Sequence, residues 1–130
     1  LQAMFDAKEI DLSQYEAESS FHDATGAGRG YACAGGEAEA IEKCINEYYP
    51  DVEVSIEHAE GLAECKKTLT LAKAGRLNGC LIEGMGCPGG CIAGAGTNIP
   101  VLKAKKDLAA YVKNSTTPIP PKELEEIELE

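Results

Sequence analysis

Two cysteines, Cys87 and Cys91, lie four residues apart in the segment Gly84–Thr97, which is otherwise rich in glycine and contains one proline. The short apolar run Cys80–Glu83 before this segment predicts a strand, and the pattern of Val101–Lys113 after it predicts a helix. A loop that is poor in side chains allows backbone and sulfur to approach an inorganic centre closely. The segment is therefore the first candidate for a functional site.

Three kinds of thiol chemistry can be compared with this spacing. A structural zinc site needs four ligands, commonly as two close pairs, and His22 and His58 are not spaced as a second pair. A thioredoxin-type redox pair has two residues between its cysteines, whereas three separate Cys87 and Cys91. An iron–sulfur cluster takes thiolates from glycine-tolerant loops and can draw further ligands from distant parts of a longer chain. Two idle thiols in a turn are the alternative without a function.

A second glycine-rich stretch, Thr25–Gly36, has five glycines in twelve residues. Such a composition predicts no regular helix, and it permits left-handed backbone and close approach of the main chain to another group. Arg29 within it is either a solvated loop charge or a contact to a bound group or partner. Cys33 is either a packing residue or a neighbour of the site.

The remaining chain alternates helices and strands. The apolar spacing predicts helices near residues 1–7, 36–48, 62–74 and 101–113, strands at 52–58 and 80–83, an extended piece at 10–15 and an extended proline-rich stretch at 116–121. The order of these elements predicts an α/β fold with a small parallel or mixed sheet flanked by helices. Ligands of such sheets bind at the carboxyl ends of the strands, and the Cys87–Cys91 loop follows such an end.

Helical spacing also assigns roles to the other cysteines. Cys44 shares a predicted apolar face with Ile41, Ile45 and Tyr48, and a second predicted stripe consists of Leu62, Cys65, Leu69 and Ala72. A third stripe consists of Val101, Ala104, Leu108 and Val112. We therefore expect Cys44, Cys65 and the strand residue Cys80 to be buried as small apolar side chains. His22 and His58 are expected at the surface or hydrogen-bonded rather than bound to a metal.

The length and the net charge of the chain narrow the class of protein. The chain has 130 residues and a net charge of −10, so it is long enough for one domain and unsuited to nucleic acid or an anionic membrane. It shows no apolar run of the roughly 20 residues that span a bilayer and no export signal at its start. We expect a cytoplasmic location with reduced cysteines. The chain begins at Leu1, which suggests a piece of a longer protein, and Leu129-Glu130 is either native or a cloning remnant.

The two glycine-rich stretches together resemble a known family. The run Met85–Gly96 resembles the third signature motif of the iron-only (FeFe) hydrogenases, and this motif is highly specific. The earlier stretch resembles the glycine-rich segment that precedes that motif, through Thr25–Gly28, Tyr31, Gly35-Gly36 and Glu39-Ala40. The resemblance covers roughly residues 23–100.

This resemblance implies a definite site and chemistry. In that family, four cysteines hold a four-iron four-sulfur cluster, and one of them also bridges to a di-iron unit that carries carbonyl and cyanide. Carried over, Cys87 is a ligand of the four-iron cluster, Cys91 is the bridging ligand, and Met85 lies beside the di-iron unit. Such a cluster combines protons and electrons to dihydrogen or splits dihydrogen, with electrons exchanged through a partner such as ferredoxin.

The same resemblance also implies that residues 1–114 form only one lobe of a two-lobed catalytic domain, followed by a proline-rich and acidic tail at 115–130. The motifs that supply the other two ligands, of the Thr-Ser-Cys-Cys-Pro and Met-Pro-Cys types, do not occur in this sequence. We therefore expect the chain to need the missing N-terminal lobe and to be inactive alone. Ala93, Ala95 and Thr97 replace residues usual in the enzymes, and Tyr31 replaces a usual Phe, which is more similar to divergent, sensory branches. A non-catalytic iron–sulfur or assembly protein related to the hydrogenases, and an interaction module with a vestigial cysteine loop, are the alternatives.

Overall fold

The computed structural model of the protein describes residues 1–16, 18 and 24–123. Their helices and strands follow the predicted order of an α/β fold. The elements are α1 (Gln2–Ala7), α2 (Gly26–Arg29), α3 (Gly36–Tyr48), β1 (Ser55–Glu60), α4 (Leu62–Lys73), β2 (Cys80–Met85) and α5 (Val101–Lys113), with 3₁₀ turns at Leu12–Gln14, Gly30–Ala32 and Cys91–Ala93. None of the helices in the described ranges has the length and apolarity needed to cross a membrane.

The two strands pair in parallel, which confirms the predicted kind of sheet. The register runs from Ser55 opposite Cys80 to Glu60 opposite Met85, and α4 forms the crossover between the strands. The first strand begins at Ser55, three residues later than the predicted start at residue 52. The reason is that β2 begins at Cys80, directly after the turn at Gly79 (φ +74°), and so has no paired residue for the stretch 52–54.

Helices α3 and α5 have the predicted bounds, and both orient small residues inward. Ala38 and Ala40 of α3 and Ala104 of α5 are buried. The predicted apolar stripe of α4 is wrong, because Leu62 is 78% exposed and Leu69 is 61% exposed, while Thr68 is buried. The buried side of α4 carries Thr68 with the half-buried Cys65 and Ala72, so the two leucines of the predicted stripe lie on the exposed side of the helix.

The core of the described residues consists of small side chains. The buried apolar residues are all alanines, namely Ala27, Ala38, Ala40, Ala59 and Ala104, and no large side chain among the described residues is fully buried. Since burial stabilises roughly in proportion to apolar area, each alanine contributes much less than a buried leucine does. The elements are therefore held together more by close backbone approach than by interdigitated large side chains.

The glycine-rich stretch is more regular than its composition predicts. It forms one turn of α-helix, α2, and then the 3₁₀ turn Gly30–Ala32. Thr25 caps α2 because its Oγ1 accepts a hydrogen bond from the N–H of Gly28 at 3.0 Å. Gly36, at the start of α3, packs so closely on this turn that a Cβ there would lie 2.0 Å from the carbonyl oxygen of Gly30. The glycines therefore allow two backbone segments to approach each other closely.

The N-terminal segment differs from its prediction in one place. The predicted extended piece at residues 10–15 contains a 3₁₀ turn, Leu12–Gln14. Asp11 caps this turn, since its Oδ1 accepts hydrogen bonds from the N–H of Ser13 at 3.0 Å and from the Ser13 hydroxyl at 2.7 Å. Short polar side chains favour such local turns, and this effect outweighs the weak alternation that predicted a strand-like piece.

The proline-rich segment after α5 forms no helix or strand in the described residues, and it packs against α2 and α3. The N–H groups of Gly26 and Ala27 donate to the carbonyls of Thr117 and Pro118, both at 2.8 Å. The hydroxyl of Tyr48 donates to the carbonyl of Pro120 at 2.7 Å. The first two of these contacts satisfy the N–H groups of Gly26 and Ala27, which have no partner within α2. The boundary at residue 114 stays a prediction, and residues 124–130 of the predicted tail lie outside the described ones.

Candidate metal centre

The Cys87–Cys91 loop leaves the carboxyl end of β2, where the topology predicts a ligand site. Met85 is the last residue of the strand and is half-buried. Cys87 and Cys91 are both free thiols and both exposed. The Cys87 sulfur packs over Gly94, where a Cβ would lie 3.7 Å from it. The structure therefore presents two accessible sulfurs on one short loop at the end of the sheet.

Each residue between the two cysteines has a defined backbone role. Pro88 has no N–H, Gly90 donates to the carbonyl of Cys87 at 2.9 Å, and Gly89 donates to Oε2 of Glu60 at 2.7 Å. Gly89 and Gly90 both have φ +87°, which glycine adopts without strain. The Pro-Gly-Gly sequence therefore folds the loop into one conformation that keeps both thiols at its edge.

The loop contacts the other glycine-rich stretch through backbone atoms. The N–H of Ala34 donates to the carbonyl of Gly89 at 3.3 Å. A Cβ on Gly90 would lie 2.4 Å from the nitrogen of Ala34 and 2.6 Å from the oxygen of Ala32. The close approach that the glycine content of residues 25–36 predicts is thus an approach to the cysteine loop itself.

A buried carboxylate connects this region to the sheet. Glu83 of β2 is 6% exposed, and its Oε2 lies 3.1 Å from Nδ1 of His58 on β1. Its Oε1 accepts a hydrogen bond from the N–H of Glu37 at 3.4 Å, in the first turn of α3. Because the positive end of a helix dipole favours a carboxylate, Glu83 anchors α3 to both strands. His58, expected at the surface or hydrogen-bonded, is half-exposed and has this partner.

The other cysteines do not join the pair in the loop. Cys44, Cys65 and Cys80 are half-buried, and the last two donate to the carbonyls of Ala59 (3.5 Å) and Leu81 (3.4 Å). They are packing residues, as the sequence predicts, although they are less buried than expected. His22 lies outside the described residues.

The backbone of Cys33 lies beside the loop. Its carbonyl carbon would be 2.7 Å from a Cβ on Gly90. The residue also lines a cavity of about 290 Å³ between α2, α3 and α5, together with Lys43 and Lys105. Both interpretations from the sequence are therefore partly correct, since Cys33 is a neighbour of the site and also a packing residue.

Arg29 is neither a solvated charge nor a residue of the site. Its Nε donates to the carbonyl of Ala24 and its Nη1 to the carbonyl of Tyr111, both at 3.0 Å. The guanidinium also lies 4.4 Å from the centroid of the Tyr111 ring. The cation–π contact and the hydrogen bond to Tyr111 tie α2 to the last turns of α5, and the hydrogen bond to Ala24 holds the guanidinium against the residue just before the Thr25 cap.

Sequence reasoning missed Glu60 and Glu83, the two carboxylates that hold the loop and the adjoining helix. The only available signals were weak: an acidic residue at the end of an otherwise apolar strand, and an acidic residue directly before Gly61. Their partners are backbone N–H groups 29 and 46 residues away in sequence. No local pattern predicts contacts of that range.

As a candidate metal site, the loop offers two exposed thiols. Two thiols are soft ligands of the kind that iron–sulfur clusters use, and they fit such a cluster in type and accessibility. Among the residues that the structure describes, no group of three or more His, Cys, Asp or Glu side chains could hold a metal ion. A site with four ligands would therefore need groups beyond those that the described residues bring together.

Fold and loop together define a small α/β unit with a Cys-Pro-Gly-Gly-Cys loop at the carboxyl end of its parallel sheet. Comparison with protein families identifies the type. The model of the iron-only hydrogenase large subunit, C-terminal domain, matches residues 1–95. This range includes both glycine-rich stretches and both cysteines of the loop, and the chain belongs to this family. A search of curated proteins returned no match.

Proposed function

We propose that this chain contributes Cys87 and Cys91 to the iron–sulfur cluster of an iron-only hydrogenase-type site, as one lobe of a two-lobed domain. One observation carries the proposal: both cysteines are exposed at the end of β2, on a loop whose conformation is set by contacts within the chain. A buried or freely variable pair of thiols would not suit cluster binding.

Each residue has a distinct role in this proposal. Cys87 would hold the four-iron cluster, and Cys91 would hold that cluster on the side of the di-iron unit. Met85, half-buried one residue before the loop, limits water on that side. When bound, the cluster supplies the chemistry that interconverts protons and electrons with dihydrogen. The chain itself holds the ligands in place and is inactive alone, because two thiolates do not complete the four-cysteine set.

Exposed apolar residues on the surface of the chain support the proposal that a second lobe covers it. Leu62 and Leu69 on α4 and Leu102 on α5 are 78%, 61% and 84% exposed. Exposed large apolar side chains of this kind mark contact surfaces. The alanine core supports the same proposal, since a second lobe would add the large buried side chains that this one lacks. We assign these leucines to the contact with the N-terminal lobe.

The cellular role follows from the chemistry of the family. The intact protein would exchange electrons with a carrier such as ferredoxin and would be cytoplasmic, where thiols stay reduced. Whether its reaction serves hydrogen turnover or hydrogen sensing depends on the lobe that completes the site. The residues Ala93, Ala95 and Thr97 favour the sensory branch.

Anaerobic reconstitution tests the ligand assignment. The purified chain is incubated with iron, sulfide and excess dithiothreitol, whose thiolates replace the absent ligands, and is then desalted with or without dithiothreitol. We expect the absorption of a four-iron cluster, and its electron paramagnetic resonance after one-electron reduction with dithionite, to persist only while dithiothreitol is present. The signal should require both cysteines, so Cys87→Ser and Cys91→Ser should each lower it strongly.

Cys80→Ser is the matched control, since it changes a thiol in the adjoining strand that the proposal leaves unbound. It should keep the signal of the unmodified chain. A stoichiometric cluster that survives without dithiothreitol would show that the chain holds a complete ligand set, contrary to the proposal. A signal that persists in the double variant of Cys87 and Cys91 would exclude them as ligands.

A further inference from the structure

The strongest unassigned contact of the site is the one between Glu60 and the cysteine loop. Glu60 is the last residue of β1, and its Oε2 accepts a hydrogen bond from the N–H of Gly89 at 2.7 Å. Glu60 is exposed, and Gly89 is at the centre of the Cys87–Cys91 loop. This is the only side-chain hydrogen bond to the loop backbone between the two cysteines that the described residues contain.

The end of β1 fixes the position of the Glu60 backbone, from which the carboxylate extends. A backbone hydrogen bond from the N–H of Gly61 to the carbonyl of Met85, at 2.7 Å, closes the sheet at this end. It fixes the ends of β1 and β2 relative to each other directly before the loop. The N–H of Glu60 also donates to Oε2 of Glu64 in the first turn of α4. Across the same gap, a Cβ on Gly61 would lie 3.6 Å from Cγ of Pro88. Glu60 therefore projects from a fixed backbone toward a loop that lies directly against it.

Two hydrogen bonds from outside the loop hold its central residue, Gly89. The carbonyl of Gly89 accepts a hydrogen bond from the N–H of Ala34 at 3.3 Å, and the N–H of Gly89 donates to the Glu60 carboxylate. Glycines have the greatest backbone freedom in the unfolded or detached loop, so fixing them costs the most entropy. A hydrogen bond to a charged acceptor is roughly twice as strong as a neutral one and offsets part of that cost.

We propose that Glu60 is a positioning residue of the Cys87–Cys91 site: its carboxylate holds the Gly89 N–H and thereby keeps the two thiols in the arrangement that binds the cluster. Glu60 touches no cluster atom in this role. The part of the inference that concerns the cluster rests on the function proposed above, and the part that concerns the loop does not.

A variant series separates positioning from charge. Glu60→Gln keeps an oxygen that can accept from Gly89, whereas Glu60→Ala removes the acceptor. Glu57→Ala is the matched control, since it removes an equal charge from the same strand at a residue with no side-chain hydrogen bond or ion pair in the described structure. Far-UV circular dichroism verifies that each variant is folded.

The first measurement is hydrogen exchange of the Gly89 amide in the reduced, metal-free chain, followed by nuclear magnetic resonance. Glu60→Ala should lower the protection of this amide by about tenfold, the equivalent of a lost charge-assisted hydrogen bond. Glu60→Gln should keep most of the protection, and Glu57→Ala should keep all of it. Equal protection in Glu60→Ala and the unmodified chain would overturn the proposal.

The second measurement is the lifetime of the dithiothreitol-supported cluster under the conditions given above. Glu60→Ala should shorten this lifetime several-fold, with Glu60→Gln close to the unmodified chain. An unchanged lifetime in Glu60→Ala would overturn the positioning role, even if the amide loses protection. If Gly89 loses protection but no cluster forms in the unmodified chain, Glu60 still holds the loop, and it is the ligand assignment of Cys87 and Cys91 that fails.

Discussion

Replacement of Gly90 by alanine is the sharpest test of the contact between the two glycine-rich stretches. Gly90 has φ +87° and ψ −171°, a region that only glycine enters freely. Its hypothetical Cβ lies 2.4 Å from the nitrogen of Ala34, 2.6 Å from the oxygen of Ala32 and 2.7 Å from the carbonyl carbon of Cys33. All three atoms belong to the backbone, so no side chain can rotate away to make room.

The size of the effect follows from two separate costs. A residue forced into this backbone region costs about 1–3 kcal/mol. Overpacking a filled site costs about another 1–3 kcal/mol. Gly90→Ala should therefore lower the free energy of unfolding by about 2–6 kcal/mol, a large share of the roughly 5–15 kcal/mol typical of a domain.

Urea denaturation followed by far-UV circular dichroism measures this loss. At a slope of about 2 kcal/mol per M, a loss of about 4 kcal/mol lowers the midpoint by about 2 M. Gly86→Ala is the control in the same loop, since Gly86 does not have a positive φ and a Cβ there would meet nothing within 4 Å. It should change stability by less than about 1 kcal/mol.

A second readout covers the case in which the loop detaches while the rest stays folded. In that case the midpoint falls less, but the N–H of Ala34 loses its partner on Gly89 and should exchange faster with solvent. Our reasoning would be refuted if Gly90→Ala matched Gly86→Ala in midpoint and also kept the Ala34 amide protected. The contact between the stretches would then not exist as described.

Two further predictions concern the carboxylates. Glu83→Ala should lower the free energy of unfolding by about 1–3 kcal/mol, because it leaves the N–H of Glu37 in α3 without its acceptor, whereas Glu83→Gln should recover most of that loss; equal urea midpoints for the two variants would contradict the anchoring role. The Ser13 hydroxyl, and then the Ser13 N–H, hold the pKa of the Asp11 carboxyl below its ordinary value of 3.8. The 3₁₀ turn is therefore stabilised above that value and loses this contribution as the pH falls through the lowered pKa, and a carboxyl titration by nuclear magnetic resonance in which Ser13→Ala leaves the pKa of Asp11 unchanged would contradict this cause.

The parts of the fold that were predictable are those set by local patterns. Helices α3 and α5 begin and end where the sequence predicts, because helical spacing and helix-terminating residues act over only a few positions. The parallel sheet was predictable from the alternation of strands and helices. The start of β1 was not, since it depends on which residues of β2 are available to pair, and that is a property of two segments at once.

The candidate site divides in the same way. Cys87 and Cys91 could be singled out from the sequence because two thiols lie close together in a glycine-rich loop, and the structure shows that both are exposed. Their role as ligands stays a prediction. The residues that hold the loop were not identifiable. Glu60 and Glu83 act on N–H groups far away in sequence, and an acidic residue near a strand end has many ordinary explanations. The leucines of the α4 stripe were mispredicted because helical spacing groups them with Cys65 and Ala72 but does not show where the buried side of the helix ends.

These two observations have a joint consequence for how the complete site would assemble. The loop takes its shape from contacts inside this chain, with the stretch 32–34, with Glu60 and within its own turn. The apolar surface of α4 and α5, in contrast, remains uncovered. Under the proposed function, the second lobe therefore does not need to fold the cysteine loop. It needs to cover the leucines and bring two further ligands to a pair that is already in place. Such preorganisation lowers the entropic cost of binding the cluster, because the most flexible residues of the site are fixed before the ligand set is complete.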